Sequence, residues 1–178
     1  MRQIKEIIIH CSATPEGRDV TVSTIRQWHK QRGFRDIGYH YIIYRDGSIH
    51  TGRPEAQQGA HCTGHNACSI GICYVGGMER DMSEPKDTRT PAQRKALLEL
   101  CRELKQRYPN ATIHGHNEFA NKACPSFNVK EEFGDLNTNQ RSVCGGESGG
   151  NDRTHQLAER FGTCDPFAER DRKEEVDL

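Results

Sequence analysis

Lys5-Glu6-Ile7-Ile8-Ile9-His10-Cys11-Ser12-Ala13-Thr14-Pro15 carries the reading on which the fold turns. The isoleucine run is β-branched, apolar and short, which fits a buried strand. Small polar residues and a proline end it. His10 therefore stands at the end of a buried strand, a good place for a site on a sheet. The same residue also reads as a core histidine satisfied by one hydrogen bond.

Outward from this strand the chain alternates helix and strand signals. Thr21 is a good N-cap, and Val22, Ile25, Trp28 and His29 recur at helical spacing up to Gly33. Trp28 reads as a core anchor and His29 as structural. Gly38-Tyr39-His40-Tyr41-Ile42-Ile43-Tyr44 is rich in strand formers, and Asp46-Gly47 predicts a two-residue hairpin returning through Ile49–Arg53. A two-residue period puts Tyr39, Tyr41 and Ile43 on one face. Ser69–Val75 is another buried-looking strand, and Met78–Arg89 reads as an exposed connection. Thr90-Pro91-Ala92-Gln93 is a capping box with proline at the first helical position. Leu97, Cys101, Leu104 and Tyr108 then form one apolar stripe. Ala111-Thr112-Ile113 is a short strand, and a last short helix starts at Asn128 and ends near Gly134.

A second stretch concentrates chemistry: Ile113-His114-Gly115-His116-Asn117-Glu118-Phe119-Ala120-Asn121-Lys122-Ala123-Cys124-Pro125-Ser126-Phe127. Imidazole and thiolate are ligand types that zinc prefers, and Lys122 lies close to both in sequence. On residue types alone, a surface loop with a buried cysteine explains it as well.

Composition bounds the remainder. Hydrophobic content of 33% with a mean hydropathy of −0.87 is low for a fully packed chain of 178 residues. Gly145-Gly146-Glu147-Ser148-Gly149-Gly150 is a linker by composition, and residues 168–178 mix charges with few apolar groups. Residues 1–134 are read as one domain and 135–178 as a flexible, disordered tail. The 25 basic and 25 acidic residues cancel, so neither nucleic acid nor an anionic membrane is an expected partner. No apolar run approaches the ~18 residues of a membrane span, and no signal-type segment opens the chain. The expectation is a monomer that is cytoplasmic as synthesised. Eight cysteines with no CxxC are read mostly as thiols, a minority as metal ligands.

Several segments together resemble the T7 lysozyme type of N-acetylmuramoyl-L-alanine amidase, which shares its fold with peptidoglycan recognition proteins. They are Ile8–Thr14, Ile25–Lys30, Gly38–Ile43, Arg45-Asp46-Gly47, Ser69–Cys73 with Val75-Gly76-Gly77, and Lys122–Phe127. The resemblance implies an α/β fold, a central mixed β-sheet flanked by helices, with one zinc ion in a surface cleft. It carries the zinc ligands onto His10, His116 and Cys124, with His114 left as a strand residue. Tyr39 and Lys122 match its two catalytic positions. His61 matches a cleft residue expected to meet substrate, with Asn66 nearby.

The implied reaction is hydrolysis of the amide between N-acetylmuramic acid and L-alanine of the stem peptide in bacterial peptidoglycan, as in a phage-type endolysin acting after release to the wall. In that reading Lys122 stabilises charge on the former carbonyl oxygen, and Tyr39 donates a hydrogen bond or shuttles a proton. Two other readings stand beside it. One is a peptidoglycan-binding module on the same fold without catalysis. The other is a closed structural zinc site from Cys62, His65, Cys68 and Cys73, whose residue types are right but whose last member lies inside an apolar strand.

Overall fold

A computed structural model describes residues 2–138. In chain order its elements are β1 (Glu6–Cys11), β2 (Thr14–Pro15), α1 (Val22–Gln31), β3 (Tyr41–Ile43), β4 (Ile49–Thr51), β5 (Ser69–Tyr74), β6 (Gly77–Met78), α2 (Pro91–Arg107), β7 (Thr112–Gly115) and α3 (Val129–Thr138). The isoleucine run forms β1, which pairs in parallel with β5 on one side and β7 on the other. β3 extends the sheet in parallel beyond β5, and β4 closes that edge antiparallel to β3. The order β4-β3-β5-β1-β7 is the mixed sheet expected, and β2 with β6 makes a small parallel ribbon beside it.

Ile7, Ile8 and Ile9 are wholly buried, and each such side chain stabilises the fold by about 1.5–3 kcal/mol relative to leaving it exposed. Alternation along β1 then divides the molecule. Ile7, Ile9 and Cys11 join a large core with Leu97, Leu100, Cys101 and Leu104 of α2 and Phe133 of α3. Ile42 of β3 and Cys73 of β5 join a smaller cluster with Ile25 of α1, Ile37 and Tyr39. His10 faces away from the large core, because it alternates with Ile9 and Cys11. In register it sits opposite Cys73, which in turn sits opposite Ile42.

The helices start as their caps predict. The Thr21 hydroxyl accepts from the Thr24 amide, and Thr90 and Gln93 close a capping box. Gln93 goes further than capping. Its wholly buried amide donates to the carbonyls of Ile43 and Val75, fastening the start of α2 to the ends of β3 and β5.

Four local expectations change. The hairpin is not a two-residue turn. Gly47 donates to the Tyr44 carbonyl, Tyr44 donates to that of Ser48, and Gly47 alone takes a positive φ (+85°), which makes a three-residue loop with a glycine bulge. The Asp46 carboxylate accepting from the Ser48 amide favours that form. Trp28 is only partly buried, beneath the Arg18 guanidinium, while its neighbour His29 is the buried one. The connection before α2 is exposed over 80–86 but ends in a buried Arg89, held by Asp87 and Glu132. Finally α3 runs through Gly134 to Thr138, beyond the expected domain boundary. Asn137 in its last turn both accepts from Ile113 N–H and donates to its carbonyl, which covers the free edge of β7. The Gly-rich linker and the rest of the expected tail, 139–178, lie outside the described residues.

Candidate metal centre

β1 and β7 are parallel neighbours, so the chain leaves both at the same end of the sheet. His10 is the next-to-last residue of β1, and His116 follows directly on β7 as the first residue of a 3-10 turn, His116–Glu118. That turn is held by Glu118, whose carboxylate accepts from the Gly115 amide and pairs with His114 and Lys130. His114 is thereby engaged elsewhere, with its Nε2 on the Thr112 hydroxyl.

Cys124 comes from a turn 113 positions away from Cys11 in sequence, yet its Sγ lies 3.3 Å from the Cys11 amide, which donates to it. Three contacts seat this turn. The Tyr74 hydroxyl donates to the Pro125 carbonyl, the Ser126 hydroxyl donates to that of Gly77, and the Arg89 guanidinium stacks on Phe127 at 3.3 Å. Arg89 and Cys11 support the site without any signal in the local sequence. Only the folded chain brings them beneath Cys124.

The structure brings His10, His116 and Cys124 together, with one ligand atom of each within 4.8 Å of the others. His10 Nδ1 is 3.8 Å from Cys124 Sγ. Tetrahedral zinc with bonds of about 2.0–2.3 Å sets its ligand atoms roughly 3.3–3.8 Å apart, so the donor set fits such an ion in chemistry, and the His10–Cys124 pair fits it in spacing. Burial, followed by the neighbouring His61 and His116, pushes the His10 pKa well below the ordinary value, which keeps the ring in the neutral form a metal needs. The Cys11 thiol and burial push the Cys124 thiol well up, and a bound cation would displace its proton. Among the described residues no other such group of three occurs. The closed site from Cys62, His65, Cys68 and Cys73 does not form, since His65 Nδ1 is bound to Glu6 and Cys73 is buried in β5.

Tyr39 lies before β3 rather than in it, so the two-residue alternation starts afresh at Tyr41 and Tyr39 does not share the face of Tyr41. It packs with Ile42 and Cys73, its ring 5.2 Å from that of His10. Burial and the surrounding cysteines push its pKa well above the ordinary tyrosine value. It therefore keeps its proton at neutral pH. Lys122, half-buried, lies near enough to His10 for its charge to contribute to lowering that histidine's pKa.

His61 and Asn66, the expected substrate contacts, lie together in one turn beside the centre. Both are 7% exposed. Asn66 accepts from the amides of His61 and Cys62 with its side-chain oxygen, closing the turn that carries them. His61 Nδ1 is 3.0 Å from His10 Nε2, and its Nε2 is 3.2 Å from the Ser69 hydroxyl.

Comparisons with known proteins agree with this geometry. The family model described as N-acetylmuramoyl-L-alanine amidase matches residues 1–127, which include every residue of the centre. The endolysin of Klebsiella phage KP32 is 46% identical over 129 residues, covering 72% of this chain and 85% of the relative. The endolysin of Escherichia phage T7 is 45% identical over 137 residues, covering 76% and 90%. Among solved structures, N-acetylmuramoyl-L-alanine amidase LysC from Clostridium intestinale URNW is similar at a TM-score of 0.66 and 33% identity, over 76% of this chain and 87% of that one.

Proposed function

Because the chain belongs to the N-acetylmuramoyl-L-alanine amidase family, we propose that His10, His116 and Cys124 hold one zinc ion and that Lys122 and Tyr39 assist hydrolysis beside it. The convergence of two imidazoles and a thiol at one end of the sheet carries this reading. The substrate is bacterial peptidoglycan, and the bond cut joins N-acetylmuramic acid to the L-alanine of the stem peptide. An amide is a weak electrophile with a poor leaving group. Zinc in such a site supplies a Lewis acid and lowers the pKa of water to about 7.

The chain's own residues do the rest. His10 stays neutral at the end of β1, His116 is held by its turn, and the Cys11 amide steadies the thiolate charge of Cys124 by donating to it. As the carbonyl carbon becomes tetrahedral, charge grows on its oxygen. The Lys122 ammonium, whose charge reaches His10, balances it. Tyr39, protonated and held against His10, donates a hydrogen bond and does not take up the proton of water. Every group named comes from one chain, so a monomer suffices. No helix among the described residues is long and apolar enough to cross a membrane, which suits an enzyme that is made in the cytoplasm and reaches the wall after release.

Metal analysis and muropeptide mass spectrometry on the wild type and Cys124→Ala test the proposal together. The wild type should carry zinc near one per chain and release stem peptides from purified cell wall, with both lost in the variant. A variant that still releases them sinks the assignment of Cys124. A wild type that binds peptidoglycan but releases nothing favours the binding module instead.

A further inference from the structure

We propose that His61 is a positioning residue for the metal centre: it accepts a hydrogen bond from His10 Nε2–H and so holds His10 in the one neutral tautomer that can offer Nδ1 to zinc. The inference rests on the zinc reading above and assigns His61 a role distinct from substrate contact.

The geometry runs in one direction. His10 Nδ1 faces Cys124 Sγ at 3.8 Å, so that nitrogen must carry a lone pair if the ring is to be a ligand. The ring proton then sits on Nε2, which lies 3.0 Å from His61 Nδ1. His61 Nδ1 accepts, which leaves the proton of neutral His61 on its own Nε2, 3.2 Å from the Ser69 hydroxyl. Ser69, wholly buried at the start of β5, can take that hydrogen bond. With the opposite tautomer, His10 would aim an N–H at the metal position and ligation would fail. An outer hydrogen bond of this kind orients a ligating histidine and sets which nitrogen binds.

The fold spends unusual care on the place of this ring. A Cβ on Gly59 or on Gly71 would lie 2.6 Å from His61 Cδ2, and on Gly71 also 2.8 Å from its Nε2. Both glycines are needed for close approach, not for their backbone angles. The His61 amide is tied by Asn66, and the rings of His10 and His61 meet edge-on at 5.0 Å between centroids. A surface histidine that only touched substrate would need none of this enclosure.

Zinc affinity, measured by competition with a chromogenic chelator, and the tautomer of His10, read by nitrogen NMR on the metal-free protein, test the inference. His61→Ala should weaken zinc binding about 10–100-fold, and metal-free His10 should begin to populate the form with its proton on Nδ1. Asparagine offers a carbonyl oxygen near the place of Nδ1, whereas glutamine places its amide farther out. His61→Asn should therefore bind zinc more tightly than His61→Gln, a comparison that stands even if the alanine variant does not fold. Equal affinities for these two, or a folded alanine variant with wild-type affinity and an unchanged His10 tautomer, would overturn the role of His61. A wild type that binds no zinc would instead sink the metal reading itself.

Discussion

Lys122 shows what a single side chain contributes when the residues around it are fixed. Its ammonium stands near His10, two residues before Cys124, where the proposed hydrolysis would build up charge. Lys122→Ala should lower kcat by roughly 10²–10³ while leaving KM close to the wild-type value. Steady-state assays on purified peptidoglycan check this, and a change confined to KM would make Lys122 a binding group. Tyr39 teaches a different lesson at the same scale. Its neighbours in sequence suggest a regular strand, with Tyr39 and Tyr41 on one face. The chain before β3 is irregular, however, and Tyr39 packs to the side of His10 while Tyr41 packs on the large core. Local pattern could locate the tyrosine but not its direction.

The elements carry the site through a few polar fastenings. β7 is an edge strand, and Asn137 of α3 supplies both an acceptor and a donor to Ile113, in the manner of a neighbouring strand. Asn137→Ala leaves the Ile113 amide and carbonyl without those partners and should destabilise the protein by about 1–3 kcal/mol. Urea unfolding of the full chain measures this, and a change within error would make the clamp incidental. The same fastening explains why a helix end read near Gly134 fell short. An isolated glycine is a reasonable place to end a helix, costing about 1 kcal/mol relative to alanine inside one. Contact of the next turn with β7 outweighs that cost, and no periodicity in so short a helix announces it.

At the scale of the molecule, buried neutral histidines link stability to pH. Burial lowers the pKa of both His29 and His40 from an ordinary 6.5 to about 4. In each, Nδ1 accepts a backbone N–H, from Gly38 and Gly71 respectively, so protonation would remove an acceptor as well as bury a charge. Above pH 6.5 both folded and unfolded chains carry these rings neutral. Between pH 6.5 and 4 the unfolded chain binds protons that the folded one refuses. Stability therefore falls as pH falls, with each ring contributing at most about 1.4 kcal/mol per pH unit. Denaturant midpoints taken across this range should decline. His29→Gln and His40→Gln should each flatten the decline, and a pH-independent midpoint would contradict the burial of these rings as neutral groups.

The amino-acid order by itself determined the main strands and helices, though not the short β2 and β6, because β-branched runs, caps and helical stripes act over a few residues and need no partner to be read. It also presented His10, His116, Cys124, Tyr39 and Lys122 as a set through family resemblance. Only the tertiary structure decided that His61 and Asn66 turn inward, that Arg89 is buried beneath the Cys124 turn, and that Cys11 donates to a sulfur far along the chain. Those facts depend on parallel strands ending side by side and on glycines that let two rings meet. Contacts across such distances in sequence leave no periodic trace for a linear reading to find.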